Sequence, residues 1–132
     1  MKKLLLVLFL APMVSFGQTA DDLNTSGNTK MNLKDYYGAI NDYSRAIELK
    51  PDNVYAYYFN RGNAKKNLKD YYGAISDYSK AIELNPDYAS AYYSRGIAKY
   101  DLNDIGGACK DARKAVSLGT VDSQNFIGQI CN

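Results

Sequence analysis

The chain has 132 residues, enough for one domain, with 16 basic and 14 acidic residues but no His and no Trp. Because His is the commonest general base and metal ligand, its absence excludes Ser-His-Asp and Cys-His catalytic sites. The composition therefore argues against an enzyme, and neither a cofactor nor a metal is expected.

The first 17 residues, 1–17, have the layout of a secretory signal peptide. Lys2 and Lys3 form a basic head, residues 4–10 form an apolar run, and small residues precede a predicted cut between Gly17 and Gln18. The apolar run is shorter than the roughly 20 residues that a membrane span needs, and an uncleaved N-terminal anchor is the alternative. The sequence predicts an exported protein, periplasmic or secreted, with no membrane span after cleavage.

Cleavage would also change the charge of the chain. Loss of Lys2 and Lys3 leaves 14 basic and 14 acidic residues, a formal net charge of zero. A neutral chain without a basic run has no electrostatic footprint for nucleic acid. The Asp and Glu residues, all of which follow the predicted cut, are expected to lie on solvent-facing sides of the fold.

Beyond residues 18–21, a short lead-in, apolar residues recur at spacings of three and four, which indicates α-helices. Alternation at period two is absent, so no strand is expected. The first helix has the weakest stripe, Leu23, Gly27 and Met31, and is predicted to begin at Asp21 or Asp22 and to end near residue 33. The later helices are predicted over about 36–49, 54–67, 71–84, 89–102, 105–118 and 121–130.

An internal repeat organises these helices. Residues 32–51 and 67–86 are identical at 17 of 20 positions with an offset of 35, and residues 101–119 form a weaker third copy. A period of this length is typical of stacked helical repeats. The predicted division is three helix pairs and a last capping helix, at about 22–51, 53–86, 87–119 and 120–132.

The repeat resembles that of tetratricopeptide-repeat (TPR) proteins, which stack helix hairpins of about 34 residues. The matching residues are Leu23, Gly27, Ala39, Tyr43, Ala46 and Pro51 in the first unit, Tyr58, Gly62, Ala74, Tyr78, Ala81 and Pro86 in the second, and Tyr92, Gly96, Ala108 and Ala115 in the third. The resemblance implies an all-α fold in which antiparallel helix hairpins stack as a short right-handed α-solenoid.

The repeats differ in one spacing. Pro51 and Gly62 are 11 positions apart, whereas Pro86 and Gly96 are 10 apart. The extra residue predicts either a longer turn after Pro51 or a one-residue bulge in the third helix.

Two cysteines are expected to meet near the C-terminus. Cys109 lies nine residues before Leu118, and Cys131 lies nine after Asp122, so a chain reversal between them would bring the thiols together. In an exported protein such a pair is expected to form a disulfide, although two independent buried thiols are the alternative. Two thiols without His fall short of the four ligands of a usual zinc site.

The resemblance also implies a binding surface, because the first helices of TPR units line a concave groove for an extended peptide or a partner helix. Carried over by position, the groove residues are Asn24, Asn28, Met31, Phe59, Asn60, Asn63, Lys66, Tyr93, Ile97 and Tyr100. One subtype of the family clamps a C-terminal carboxylate with Lys, Asn and Arg. Its cationic positions hold Asn24, Ser90 and Ser94 here, so this clamp is not predicted.

These features favour an exported, non-catalytic module that binds another protein or a peptide in the groove. The alternative is a structural scaffold that self-associates or stacks on other repeat proteins, which the non-aromatic Leu23 in the first unit would favour. An enzyme acting through Cys109 is disfavoured, because the only cations close to it in sequence are Lys110, Arg113 and Lys114.

Overall fold

The computed structural model describes residues 17–49 and 51–132, so the predicted signal peptide up to residue 16 lies outside the described residues. These residues form seven α-helices and no strand, which confirms the all-α prediction. The helices are α1 Ala20–Asn32, α2 Tyr36–Glu48, α3 Val54–Asn67, α4 Tyr71–Leu84, α5 Ala89–Asp101, α6 Ile105–Ser117 and α7 Asp122–Ile130.

The helices stack as three antiparallel hairpins in a short right-handed α-solenoid, with α7 packed on α6. Each helix contacts the next one along the chain, and α1 also touches α3, as α3 touches α5. Among the described residues, no two of the even-numbered helices make comparable contact. The odd-numbered helices are therefore the more tightly gathered layer and line the concave side.

Each hairpin turns through one residue in the left-handed conformation. The three residues, with φ near +60°, are Lys34, Lys69 and Asn103. The next residue is always an Asp that caps the following helix; Asp35, for example, accepts a hydrogen bond of 3.0 Å from the Gly38 amide. The left-handed residue closes one helix and the Asp begins the next, so the recurring pair encodes the turn.

The first helix begins earlier than predicted. Thr19 caps it, since the Thr19 hydroxyl accepts from the Asp22 amide and the Asp22 carboxylate accepts from the Thr19 amide. This reciprocal arrangement places the first helical residue at Ala20, within the predicted lead-in, rather than at Asp21 or Asp22. The sequence carries the signal for this cap, since Thr19 is followed three residues later by the acidic Asp22.

The extra residue of the second unit lies in regular helix. Helices α3 and α5 both begin three residues after a proline, Pro51 or Pro86, and α3 is α-helical throughout. Neither predicted alternative is correct: the turn from proline to helix is unchanged, and α3 has no bulge. Instead, the extra residue lies within α3. From the start of the helix to the glycine, α3 has one more residue up to Gly62 than α5 has up to the equivalent Gly96.

Small residues let the two helices of a hairpin approach closely. A Cβ atom added at Gly62 would lie 2.8 Å from Cε1 of Tyr78 and 3.3 Å from the carbonyl oxygen of Ala74. Ala74 and Tyr78 are fully buried, and Gly27 faces Tyr43 in the same way. The tyrosine ring fills the space that the missing side chain leaves.

Three carboxylates are buried, which corrects the expectation that the acidic residues lie in solvent. Asp42, Asp77 and Asp111 are each only 3% exposed. Arg61 binds Asp77 through two nitrogens, at 2.8 and 2.9 Å, and Lys65 binds it at 3.0 Å. Because each buried carboxylate is surrounded by cations and hydrogen-bond donors, its charge is compensated within the fold.

The same arginines join consecutive units. Arg61 donates a hydrogen bond of 3.1 Å to the Ser44 hydroxyl of the unit before it, and Arg95 donates one of 3.1 Å to Ser79. Arg95 also binds Asp111, which repeats the arrangement one unit further on. We call these Ser–Arg–Asp contacts the inter-unit relay. Since the relay crosses the boundary between units, it aligns each hairpin with the next.

We expect Gly62→Ala to lower the free energy of unfolding by about 1–3 kcal/mol. The new methyl group would push the Tyr78 ring and the backbone of α4 away from α3. The matched control is Gly128→Ala in α7, where an added Cβ meets nothing within 4 Å. This control should stabilise the protein by about 0.5–1 kcal/mol through helix propensity. Urea unfolding followed by circular dichroism measures both, and equal effects would contradict the close-packing argument.

Asp42 is expected to make stability depend on pH. Burial tends to raise the pKa of this carboxyl, but hydrogen bonds from Lys30 and Ser26, and the charges of Lys30 and Arg45, lower it below its ordinary value of 3.8. Because the folded-state pKa is the lower one, the charged carboxylate stabilises the fold at neutral pH. That contribution is lost as pH falls through the folded-state pKa.

Asp42→Asn should therefore lower the free energy of unfolding at neutral pH by about 2 kcal/mol. The difference from the wild type should shrink in acid, below the ordinary pKa of 3.8. Asp52→Asn, at an exposed turn position, is the control and should change little. Urea unfolding over a pH series tests this expectation, and a difference that stays constant into acid would refute it.

Candidate functional site

The concave side holds a polar cavity at the junction of the first two units. Its volume is about 190 Å³, and its lining residues are Asn28, Met31, Asn32, Tyr43, Asn60 and Asn63. Four of these were predicted as groove residues from the sequence. Asn32 and Tyr43 were not: Asn32 follows Met31 in the last turn of α1, and Tyr43 was named only as a matching residue of the repeat. Tyr43 is buried, but its hydroxyl end reaches this surface.

Two tyrosines hold two of the asparagine amides. The Tyr43 hydroxyl donates a hydrogen bond of 2.7 Å to Oδ1 of Asn28, and the Tyr78 hydroxyl donates one of 2.6 Å to Oδ1 of Asn63. Burial, with the charge of Asp42 as a further cause, raises the pKa of Tyr43 to about 12. Burial also raises the pKa of Tyr78. Both hydroxyls therefore keep their protons and act as donors at physiological pH.

The third unit lacks this pair. Thirty-four residues after Asn63 the chain has Ile97, and thirty-four after Tyr78 it has Ala112, which is fully buried. The amide and the hydroxyl that holds it are thus present together in two units and absent together in the third. The paired occurrence indicates that the tyrosine hydroxyl and the asparagine act as one feature.

A further amide pair links α1 to α3. Nδ2 of Asn60 donates a hydrogen bond of 2.8 Å to Oδ1 of Asn24. Asn24 stands at one position where the carboxylate-clamping subtype has a cation, and Ser94, at another, is 8% exposed. Among the predicted groove residues Lys66 is the single cation, and burial lowers its pKa while the charge of Asp101 opposes that effect.

The aromatic groove residues of the third unit face the capping helix. The ring of Phe126 in α7 makes edge-on contacts with Tyr93, at a centroid distance of 6.0 Å, and with Tyr100, at 5.7 Å. The sequence alone could not reveal this, because it depends on where α7 docks. Ile97 is half-buried on the same helix, α5.

Phe59, another predicted groove residue, is half-buried, with ring centroids 5.7 Å from Tyr78 and 5.0 Å from Tyr88. Its position between α4 and the start of α5 makes it part of the packing between units. In the third unit, Tyr100 remains 44% exposed.

The two cysteines are brought together as predicted. Gly119, with φ of +98°, lies where the chain reverses between α6 and α7. The Cα atoms of Cys109 and Cys131 are 5.6 Å apart, within the range that disulfides span, and their sulfur atoms are in direct contact.

The described residues show neither a metal site nor a membrane helix. No group of three or more Cys, Asp or Glu side chains in this part of the chain is placed to hold a metal ion. None of the helices α1 to α7 has the length and apolar character that crossing a bilayer requires.

The architecture of stacked antiparallel hairpins with a concave inner layer defines a helical-repeat protein. A family model described as TPR repeat matches residues 27–69 and 62–103, more than half of the chain. The chain therefore belongs to the TPR family. No curated protein sequence matches it.

Several solved TPR domains are similar to the chain. The first TPR of Spaghetti (RPAP3), bound to the HSP90 peptide SRMEEVD, is 30% identical with a TM-score of 0.81, over 86% of this chain and 91% of that one. The Sgt2 TPR domain from Aspergillus fumigatus is 27% identical with a TM-score of 0.79, over 84% and 76%. The second TPR domain of human RPAP3, in complex with the HSP70 peptide SGPTIEEVD, is 25% identical with a TM-score of 0.79, over 86% and 95%.

Proposed function

We propose that this chain is a non-catalytic interaction module that binds a peptide or a segment of a partner protein on the concave side of its first two units. The observation that carries the proposal is the amide-lined cavity between α1 and α3. Amide side chains can both donate and accept hydrogen bonds, as a peptide backbone requires of its partner. The peptide complexes of two similar TPR domains support the same mode of use.

The non-catalytic part of the proposal follows from the residues available. The chain has no His, and its two cysteines lie together at the far end from the cavity. The residues that line the cavity include no Asp, Glu, Lys, Arg or Cys. In the first hairpin, Lys30 and Asp42 bind each other at 2.8 Å and so stabilise the fold.

The alternative, end-to-end stacking of copies, is disfavoured by the ends of the inter-unit relay. At the N-terminal end Ser26 occupies the place of Arg61 and Arg95, four residues before the cation Lys30. At the C-terminal end Arg113 occupies the place of Ser44 and Ser79, two residues after the buried Asp. Neither end therefore repeats the Ser–Arg–Asp contacts found between units, and Leu23, at 2% exposed, already packs against Ala46 and Tyr57.

We also propose that the protein is exported after removal of residues 1–17 and that Cys109 is bonded to Cys131. The N-terminal layout and the contact between the two sulfur atoms support this proposal together, since disulfides persist in oxidising compartments. The bond would fasten α7 over the apolar end of α6. In doing so it would also hold Phe126 against Tyr93 and Tyr100.

A photo-crosslinking amino acid at position 32, on the rim of the cavity, should capture the partner. The same amino acid at position 110, an exposed site on the outer helix α6, is the matched control. Both proteins are expressed in the source cells, irradiated, and their adducts identified by mass spectrometry. We expect adducts of another protein from position 32 and few from position 110.

Two results would count against the groove. Equal labelling from both positions would show no preference for the concave side. Adducts consisting of a second copy of this chain would favour the stacking alternative.

If Cys109 and Cys131 are bonded, folded protein from the exported fraction should resist thiol alkylation until a reductant is added. The expected intact mass is two hydrogens below that of the dithiol form. Replacing both Cys109 and Cys131 with Ser should lower the free energy of unfolding by about 3 kcal/mol, because the loop of roughly 20 residues is no longer closed in the unfolded chain. Alkylation of both thiols without reductant would contradict the bond.

A further inference from the structure

We infer that the groove accepts an extended, uncharged segment through the main-chain groups of that segment, and that it does not accept an acidic C-terminal tail. This inference rests on the proposed function and specifies the chemistry of its ligand. It is carried by the hydrogen bonds that hold three asparagine amides at the cavity and by the absence of Lys and Arg among the residues that line it.

Two asparagine amides are oriented by tyrosine hydroxyls. Because Oδ1 of Asn28 accepts from Tyr43 and Oδ1 of Asn63 accepts from Tyr78, the amide nitrogens are the groups left for a ligand. Neither nitrogen donates to another residue in the part of the chain that the structure describes. The two asparagines stand at equivalent positions of consecutive units, 35 residues apart, so the groove carries a repeated N–H donor.

Asn60 presents the opposite end of its amide to the cavity. Its nitrogen is engaged by Oδ1 of Asn24 at 2.8 Å, so its own oxygen is the group left at the cavity. The cavity thus presents two donors and one acceptor from neutral side chains. An extended backbone offers carbonyl oxygens and N–H groups in alternation, and each must find a partner when water is displaced. The cavity therefore complements a main chain.

The cavity carries no positive charge of its own, since none of its lining residues is Lys or Arg. Two lysines of the first two units are ion-paired within the fold: Lys30 binds Asp42 at 2.8 Å and Lys65 binds Asp77 at 3.0 Å. Lys66 is half-buried, near Asp101. A ligand with several carboxylates would lose hydration at the cavity without gaining an ion pair from its lining, and that loss opposes binding.

The peptides bound by two similar TPR domains, SRMEEVD and SGPTIEEVD, each contain two Glu and a terminal Asp. Asn24, Ser90 and Ser94 stand here at the positions where the resembled clamp has cations. This chain therefore has the TPR scaffold without the charge that such tails need.

The test selects ligands from a phage-displayed library of random linear peptides of about 12 residues. Selected sequences are then synthesised with a free acid or an amidated C-terminus, and their affinities are measured by fluorescence anisotropy together with that of SRMEEVD. We expect no enrichment of Asp or Glu, equal affinity of the acid and amide forms, and binding of SRMEEVD at least about tenfold weaker than that of the best selected peptide.

The orientation of the amides is tested by removing single hydroxyl groups. Tyr43→Phe and Tyr78→Phe keep the buried ring but remove the hydrogen bond to the asparagine amide. Each variant should bind the selected peptide with about fivefold to tenfold lower affinity. Tyr37→Phe is the matched control, because Tyr37 is 76% exposed, and it should leave affinity unchanged. Asn28→Asp, which replaces the donor with an oxygen of the same shape, should weaken binding at least as much as Tyr43→Phe. Circular dichroism checks that each variant is folded.

The outcomes separate this inference from the proposed function. Selection of acidic peptides, loss of affinity on amidation, or full affinity in both Tyr→Phe variants would overturn the inference while leaving the interaction module intact. Cross-links from position 32 without any selected peptide would also overturn it, since the groove would then recognise a folded surface. The absence of both cross-links and peptides would overturn the proposed function itself.

Discussion

The structure depends on the close approach of the two helices in each hairpin, which glycine permits and tyrosine uses. At Gly62 the missing Cβ leaves room for the ring of Tyr78, and at Gly27 it leaves room for Tyr43. Because each tyrosine ring lies between the two helices of its hairpin, its hydroxyl group reaches the concave side. There it meets the asparagine that follows the glycine in sequence, Asn28 or Asn63. Core packing and the preparation of the candidate site are thus one arrangement.

The buried charged residues align each repeat unit with the next one. Arg61 spans a unit boundary because it binds Asp77 in its own hairpin and Ser44 in the one before. Apolar packing between repeats tolerates sliding, whereas a bidentate contact between a guanidinium and a carboxylate has a defined geometry. A buried pair of this kind adds little net stability compared with an apolar replacement. Its role here is to specify the register in which consecutive units stack.

The C-terminal helix contacts only one end of the concave side. Phe126 packs edge-on against Tyr93 and Tyr100 of α5, while the amide cavity lies between α1 and α3, away from α7. The third unit also has Ile97 where the first two have asparagine. The concave side therefore has an amide-lined part at the first two units and a more apolar part, packed by α7, at the third. A ligand matched to this surface meets neutral hydrogen-bonding groups rather than a row of cations.

The helices, the repeat, the hairpin pairing and the meeting of Cys109 with Cys131 can all be read from the amino-acid sequence, because they follow from periodicity and spacing along the chain. The sequence also indicated Asn28, Met31, Asn60 and Asn63 as neighbours, since equivalent positions in stacked units share a face. Three features emerge only in the folded chain: the Tyr43 hydroxyl supports the site, Asp77 is buried, and Tyr93 packs against Phe126. Each depends on which residue of a distant helix fills a given space, and helical periodicity specifies the direction of a side chain but not what it meets.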